Sequence, residues 1–337
     1  MARATARSHR DDEPHTVDTD ASTTLSRLTG LGAPRNRVIR DGKELLIKFL
    51  LVGCTGFSLV ITALIIGILA FETARFFAEV SVTEFFFTAE WSPMLGEEKS
   101  FGIWPLVAGT LLVTLVAAIF ALPIGLVTAI FLSEYAPARV RAVLKPILEV
   151  LAGIPTVVYG FFAVIVIAPS LQGVSQFLTG ERVFGTYSAG AAGIAVGIMI
   201  LPIVTSLSED ALRSVPRSLR DGAYALGSTR FDTSIRVVVP GALGGIMASY
   251  LLAISRAIGE TMIVALAAGG LAQLTILPWD QTQTMTAYMV QIFLGDAPAT
   301  GVEYKSSFAV AGVLFLMTLM MTVAGYRVLA RFREEYE

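Results

Sequence analysis

The sequence predicts an all-α membrane protein with six transmembrane helices and both termini on the cytoplasmic side. Three observations carry that prediction. The 337 residues are 54% hydrophobic and only 15% charged, against about 25% charged in a soluble domain. Six apolar runs can each cross a hydrocarbon core of about 30 Å at about 1.5 Å per residue. Twenty lysines and arginines fall on one set of alternating connections and four on the other. The richer side is expected to be cytoplasmic.

Taken in order, residues 1–40 are rich in Arg, Asp, Ser and Thr and are expected to form a disordered polar cytoplasmic tail. No early, short apolar stretch marks a signal peptide. The membrane domain is expected over 41–337, with its core at 100–330. Span one is placed at roughly 46–70, with Lys48 at its start. Residues 72–105 carry six acidic side chains, two basic ones, and Trp91 and Trp104, which suit a membrane–water interface. Span two is placed at roughly 106–132, span three at 147–168, span four at 188–207, span five at 241–268 and span six at 307–329. Pro123, Pro155 and Pro202 fall inside or at these runs. A short helix is expected near Thr284–Leu294.

Composition also excludes chemistry. The two histidines, His9 and His15, both lie in the tail, so a Ser–His–Asp triad or a His-based zinc site has no partner in the folded body. Cys54 is the single cysteine, which leaves no intrachain disulfide. There is no Walker A motif, and the net charge of −2 gives no bulk field for nucleic acid. No catalytic residue, metal site or cofactor is expected in this chain.

The stretch at 208–240 is more than a connector. It carries nine charges, five of them arginine, between two apolar runs. Asp221-Gly222-Ala223 is followed after three residues by Gly227, and after nine more by Val237-Val238-Val239-Pro240. A short surface helix, a glycine that allows close backbone approach and a bend, and a proline that opens the next helix would form a docking face. An ordinary amphipathic connector is the bland alternative. Gly241-x-x-x-Gly245 is a weak signal of close helix packing.

This spacing resembles the cytoplasmic loop of ABC-importer permeases, with Asp221 in place of a glutamate and Gly222 in place of an alanine. The segments FGIWPLVAGTL (101–111), LSEYAPARVRAVLKPILEVLAGIPTVVYGFF (132–162) and SRAIGETM (255–262) resemble the phosphate-uptake permeases of the PstC type. The resemblance covers most of 45–330 and implies a type I ABC importer permease fold in a prokaryotic inner membrane. It implies a subunit that forms half of a translocation pathway for inorganic phosphate. The implied partners are a sister permease of the PstA type, an ATPase dimer of the PstB type that binds ATP and magnesium, and an external phosphate-binding protein of the PstS type. It assigns Asp221, Gly222, Ala223, Gly227, Val237, Val239 and Pro240 to ATPase coupling. A permease for sulfate or molybdate, or a secondary anion transporter, is the alternative.

Arg256 and Glu260 are four residues apart inside span five and are expected to share one helix face. Each charge at that depth costs about 2.5–3.5 kcal/mol or more, so a partner or a wet cavity is expected. They either satisfy each other structurally or line an anion path, where a guanidinium offers paired donors to an oxyanion. The resemblance supports the second reading. Ser255 and Thr261 flank the pair and could add donors, or bond back to the helix.

Overall fold

The computed structural model describes residues 37–93, 99–295, 298 and 301–331. It divides into two compact units, one ending at Ile66 and one beginning at Gly67. The expected disordered tail falls mostly outside the described residues. Helix α1, Arg37–Phe77, starts within its last positions. From Phe49 to Ile66 the part of α1 in the first unit carries no charged residue, as befits a helix in lipid.

The second unit contains α2 (Val82–Phe87), a hairpin of β1 (Trp91–Ser92) and β2 (Ser100–Phe101), and α3 (Trp104–Ile130). Helices α4 (Ala138–Ala152), α5 (Thr156–Thr179), α6 (Ala189–Ser214) and α7 (Arg217–Ala225) follow. Then come α8 (Arg230–Gly241), α9 (Leu243–Ile258), α10 (Met262–Ala267), α11 (Met285–Leu294) and α12 (Val302–Arg331). Among the described residues five helices are long and apolar enough to span a membrane, and the bent pair α8–α9 makes a sixth. The six-span expectation holds with that qualification of shape.

Helix α6 is the centre of the bundle, with 67% of its most apolar window buried. Its first turns are almost all small: Ala189, Gly190, Ala191, Ala192, Gly193, Ala195 and Gly197 are all buried. A Cβ on Gly193 would lie 2.6 Å from the Val116 side chain of α3, and one on Gly197 would lie 2.9 Å from Phe120. The two backbones therefore approach as closely as glycine permits. In Gly241-x-x-x-Gly245, a Cβ on Gly245 would lie 2.4 Å from Ala211.

Prolines set the local geometry. Two helices widen into a single π turn just before a proline, at Ala163–Ile167 before Pro169 and Ser234–Val238 before Pro240. In each the amide next to the proline reaches back five residues, Ala168 to Ala163 O and Val239 to Ser234 O. Proline has no N–H and its ring would strike the carbonyl four residues back, and the wider turn moves that carbonyl aside. A third π turn, Phe131–Tyr135, ends the α3 span ahead of Pro137.

Span three differs from expectation. The apolar stretch from 147 belongs partly to α4, which ends on Gly153, and a new helix begins after Pro155. Proline disfavours helical geometry at Ile154 and is itself at home before a helix start. The real span, Thr156–Thr179, then continues through polar Ser170, Gln172 and Ser175. Trp91 is also displaced from its expected interfacial role. It is 5% exposed and packs edge-on to Tyr288 at 4.9 Å and Phe101 at 6.0 Å. With Phe76, Phe85 and Leu106 it forms an aromatic cap at this end of the bundle. Trp104 stays half-exposed, and its Nε1 donates to Phe86 O at 2.7 Å.

Replacing Gly193 by leucine is expected to destabilise the bundle by about 1–3 kcal/mol through overpacking. Thermal unfolding of the purified, detergent-solubilised chain measures it, and an unchanged midpoint would contradict the close α3–α6 approach.

Candidate translocation site and coupling surface

The fifth span is not one helix. Helix α8 meets α9 at a 70° bend, where Ala242 takes φ −96° and ψ 2°. Pro240 therefore sits just before the bend, near the end of α8, and does not open the span as expected. Helix α9 has 16 residues, about 24 Å of rise, too short to cross alone. It ends on Gly259, and α10 resumes at Met262.

Arg256 and Glu260 flank this end and do not share a helix face. Arg256 is on the last turn of α9 and is exposed on the chain. Its nearest recorded polar contact is Met199 Sδ at 4.0 Å, and no described carboxylate pairs with it. Glu260 lies beyond the helix and is 6% exposed. Its Oε1 accepts from the amides of Met262 at 3.1 Å and Ile263 at 3.3 Å. The carboxylate thus caps α10, where free amides and the helix dipole favour a negative charge. Its carbonyl accepts from Thr286 Oγ1 at 2.6 Å, which ties the break to α11. The mutually neutralising pair is absent, because the helix ends before Glu260 and α10 supplies its partners. Ser255 is half-buried, and Thr261 Oγ1 donates to Gly259 O at 3.3 Å.

Behind α10 the chain folds back over α6. Ser188 N donates to Ala267 O at 3.0 Å and Thr282 N to Ala268 O at 2.9 Å. Gly269 takes φ +100°, a left-handed conformation that favours glycine. A cleft of about 500 Å³ opens there, lined by Leu266, Gln281, Gln283 and Gln291.

At the opposite end of α6, α7 follows after Val215 and Pro216. Ala223 is buried, Asp221 and Gly222 are exposed, and Leu226 is 89% exposed just past the helix. Gly227 takes φ +84°. Its amide bonds Tyr224 O at 2.9 Å and the Ser228 amide bonds Ala223 O at 3.1 Å, the double bond of a helix-ending Schellman motif. Gly227 is thus required for backbone conformation rather than for close approach, since a Cβ there would meet nothing within 4 Å. Val237 and Val239 are half-buried, and the fully buried residue is Val238, packed with Leu212 and Ile246.

Sequence reasoning missed Glu209. It is 1% exposed at the end of α6 and accepts from Lys145 at 3.0 Å, with Arg141 and Arg213 each at 3.5 Å. Lys145 also bonds Asp210 at 2.5 Å, and this bond, with Glu209 adding, holds its ammonium above the ordinary lysine range. The available signal was an acidic residue closing an apolar run with arginine four positions on. Thr286 gave no signal, because its partner is a backbone carbonyl distant in sequence.

The class of protein that carries this central small-residue span, this broken fifth span beside a charge and this exposed helix after α6 is shown by comparison with known proteins. Residues 121–333 match the family model described as "Binding-protein-dependent transport system inner membrane component", and the chain belongs to that family. The "Probable ABC transporter permease protein YqgH" of Bacillus subtilis is 36% identical over 72% of this chain and 75% of its own. The "Phosphate transport system permease protein PstC" of Xylella fastidiosa (strain Temecula1) is 30% identical over 88% of this chain and 94% of its own. A chain of a bacterial ABC transporter involved in the import of the acidic polysaccharide alginate shares the fold with a TM-score of 0.62. It is 15% identical, with 88% of this chain and 100% of that one covered. The chain is a transport component and not an enzyme.

Gly222 of α7 and Gly227 just past it should respond oppositely to alanine. Gly222→Ala meets no neighbour and should stabilise by about 0.5–1 kcal/mol. Gly227→Ala should cost about 1–2 kcal/mol from the left-handed backbone. Paired thermal melts test this, and equal shifts would contradict the helix-ending role of Gly227.

Proposed function

We propose that this chain is the PstC-type permease subunit of an ATP-driven importer of inorganic phosphate. The observation that carries the reading is Arg256, a guanidinium in a membrane span with no carboxylate partner among the described residues. An unpaired cation at that depth is costly and is stable where it faces water or an anion. Its planar donors suit phosphate oxygens. The names of the PstC relatives favour phosphate over sulfate or molybdate, and no feature favours a secondary transporter.

In this reading Arg256, with Ser255 and Thr261 beside it, lines one half of the path, and a sister permease of the PstA type supplies the other half. Glu260 holds the break open by capping α10. The twenty-to-four division of basic residues supports an orientation with both termini and α7 in the cytoplasm. There α7, with Asp221, Gly222 and Ala223, Gly227 behind it, and the α8 stretch from Val237 to Pro240 would dock on a PstB-type ATPase. That partner would bind ATP and magnesium. Affinity and selectivity would reside in an external PstS-type binding protein, since a tight site in the path would retain its cargo.

Radiolabelled phosphate uptake by the fully assembled transporter tests the site. Arg256→Ala should lower uptake at least about a hundredfold, as expected for removing a principal charge contact of about 3 kcal/mol, with assembly intact. Arg256→Lys should restore part of it. Normal uptake by a well-assembled Arg256→Ala transporter would remove the assignment.

A further inference from the structure

The α7 end holds a second concentration of positive charge that the translocation path does not use. A polar cleft of about 310 Å³ is lined by Arg141, Arg213, Arg217, Arg220 and Arg230, with Glu134 as its carboxylate. Arg220 is satisfied by Glu134 at 3.0 Å and by Val215 O and Leu212 O. Arg141 bonds Leu132 O and Ser133 O and reaches Glu209. Arg213 reaches the same Glu209 carboxylate at 3.5 Å with half of its side chain exposed. The last two arginines have no carboxylate partner among the described residues. Arg230 lies over the Tyr135 ring at 5.9 Å, and Arg217 is exposed on the first turn of α7.

We infer that this cleft is a binding site for a phosphate-class oxyanion, held by Arg217 and Arg230 above the Arg220–Glu134 pair. Like charges crowded around a small concave volume repel one another, and a multivalent anion relieves that repulsion. Guanidinium forks from different elements can grip several oxygens of one phosphate group at once. Tyr224, exposed and lining the same cleft, adds a hydroxyl donor. The lining comes from the π turn after α3 and from α4, α6, α7 and α8, so a ligand there would tie α7 to the body of the bundle. The site faces the cytoplasm only if the proposed orientation holds, but its charge and shape do not depend on that orientation. The same chemistry is presented by free inorganic phosphate and by the headgroup of an anionic lipid.

The assembled transporter in phosphatidylcholine nanodiscs, without binding protein or nucleotide, is titrated with inorganic phosphate. Wild type is compared with Arg217→Gln/Arg230→Gln and with Arg256→Ala. A binding component weakened at least about tenfold in the double variant but kept in Arg256→Ala identifies free phosphate as the ligand. That pattern would stand even if the reading of Arg256 failed. In nanodiscs containing phosphatidylglycerol, native mass spectrometry reads retained lipid. Loss of a tightly held anionic lipid in the double variant, with no phosphate component in wild type, identifies the headgroup. The inference is overturned if wild type holds neither ligand, as when an acidic side chain of a partner fills the cleft. It is equally overturned if the double variant, with an unchanged melting profile, binds both as wild type does.

Discussion

The buried Glu260 carboxylate and the two amides it caps are the interaction on which the site depends. Without an acceptor there, the first turn of α10 would carry unsatisfied N–H groups inside the bundle, at about 1–3 kcal/mol for each group left bare. With it, the chain can stop one helix at Ile258 and start another at Met262 inside the bundle. Irregular backbone at such depth survives where protein or a cavity satisfies it. The Thr286 bond to the Glu260 carbonyl completes that satisfaction. The consequence is that Glu260 is already occupied, and Arg256 is exposed with no counter-charge among the described residues.

Around this break the fold is rigid where it must be and interrupted where it must bend. The small residues of α6 let α3 approach along Gly193 and Gly197. The prolines at 169 and 240 widen their helices by one π turn instead of breaking them. At the α8–α9 bend the chain changes direction by 70° directly behind α7. A displacement of α7 therefore has a short covalent route through α8 and α9 to Arg256.

Much of this was legible in the sequence because the bilayer imposes a length and a polarity on each span. The number of spans and the α11 helix followed from that constraint. The bend at Gly227 was also visible as a residue type at fixed spacing, although the close approach expected there is absent. Three features were not. The third span was misplaced because the apolar end of α4 is continuous in composition with α5, and only Gly153 and Pro155 separate them. Arg256 and Glu260 looked like a helical pair because their spacing says nothing about a helix ending at Ile258. Trp91 was read as interfacial because its burial depends on Phe101 and Tyr288, partners brought to it by the hairpin and by α11.

The central claim is that Glu260 acts as a helix cap at the break and not as the counter-charge of Arg256. Phosphate uptake by the assembled transporter carrying Glu260→Gln, set beside Glu260→Ala, tests it most directly. Glutamine keeps an acceptor oxygen for the Met262 and Ile263 amides but removes the charge, whereas alanine removes both. The account predicts that the glutamine variant keeps most of its uptake and the alanine variant loses it. A glutamine variant as inactive as the alanine one, at equal assembly, would contradict it.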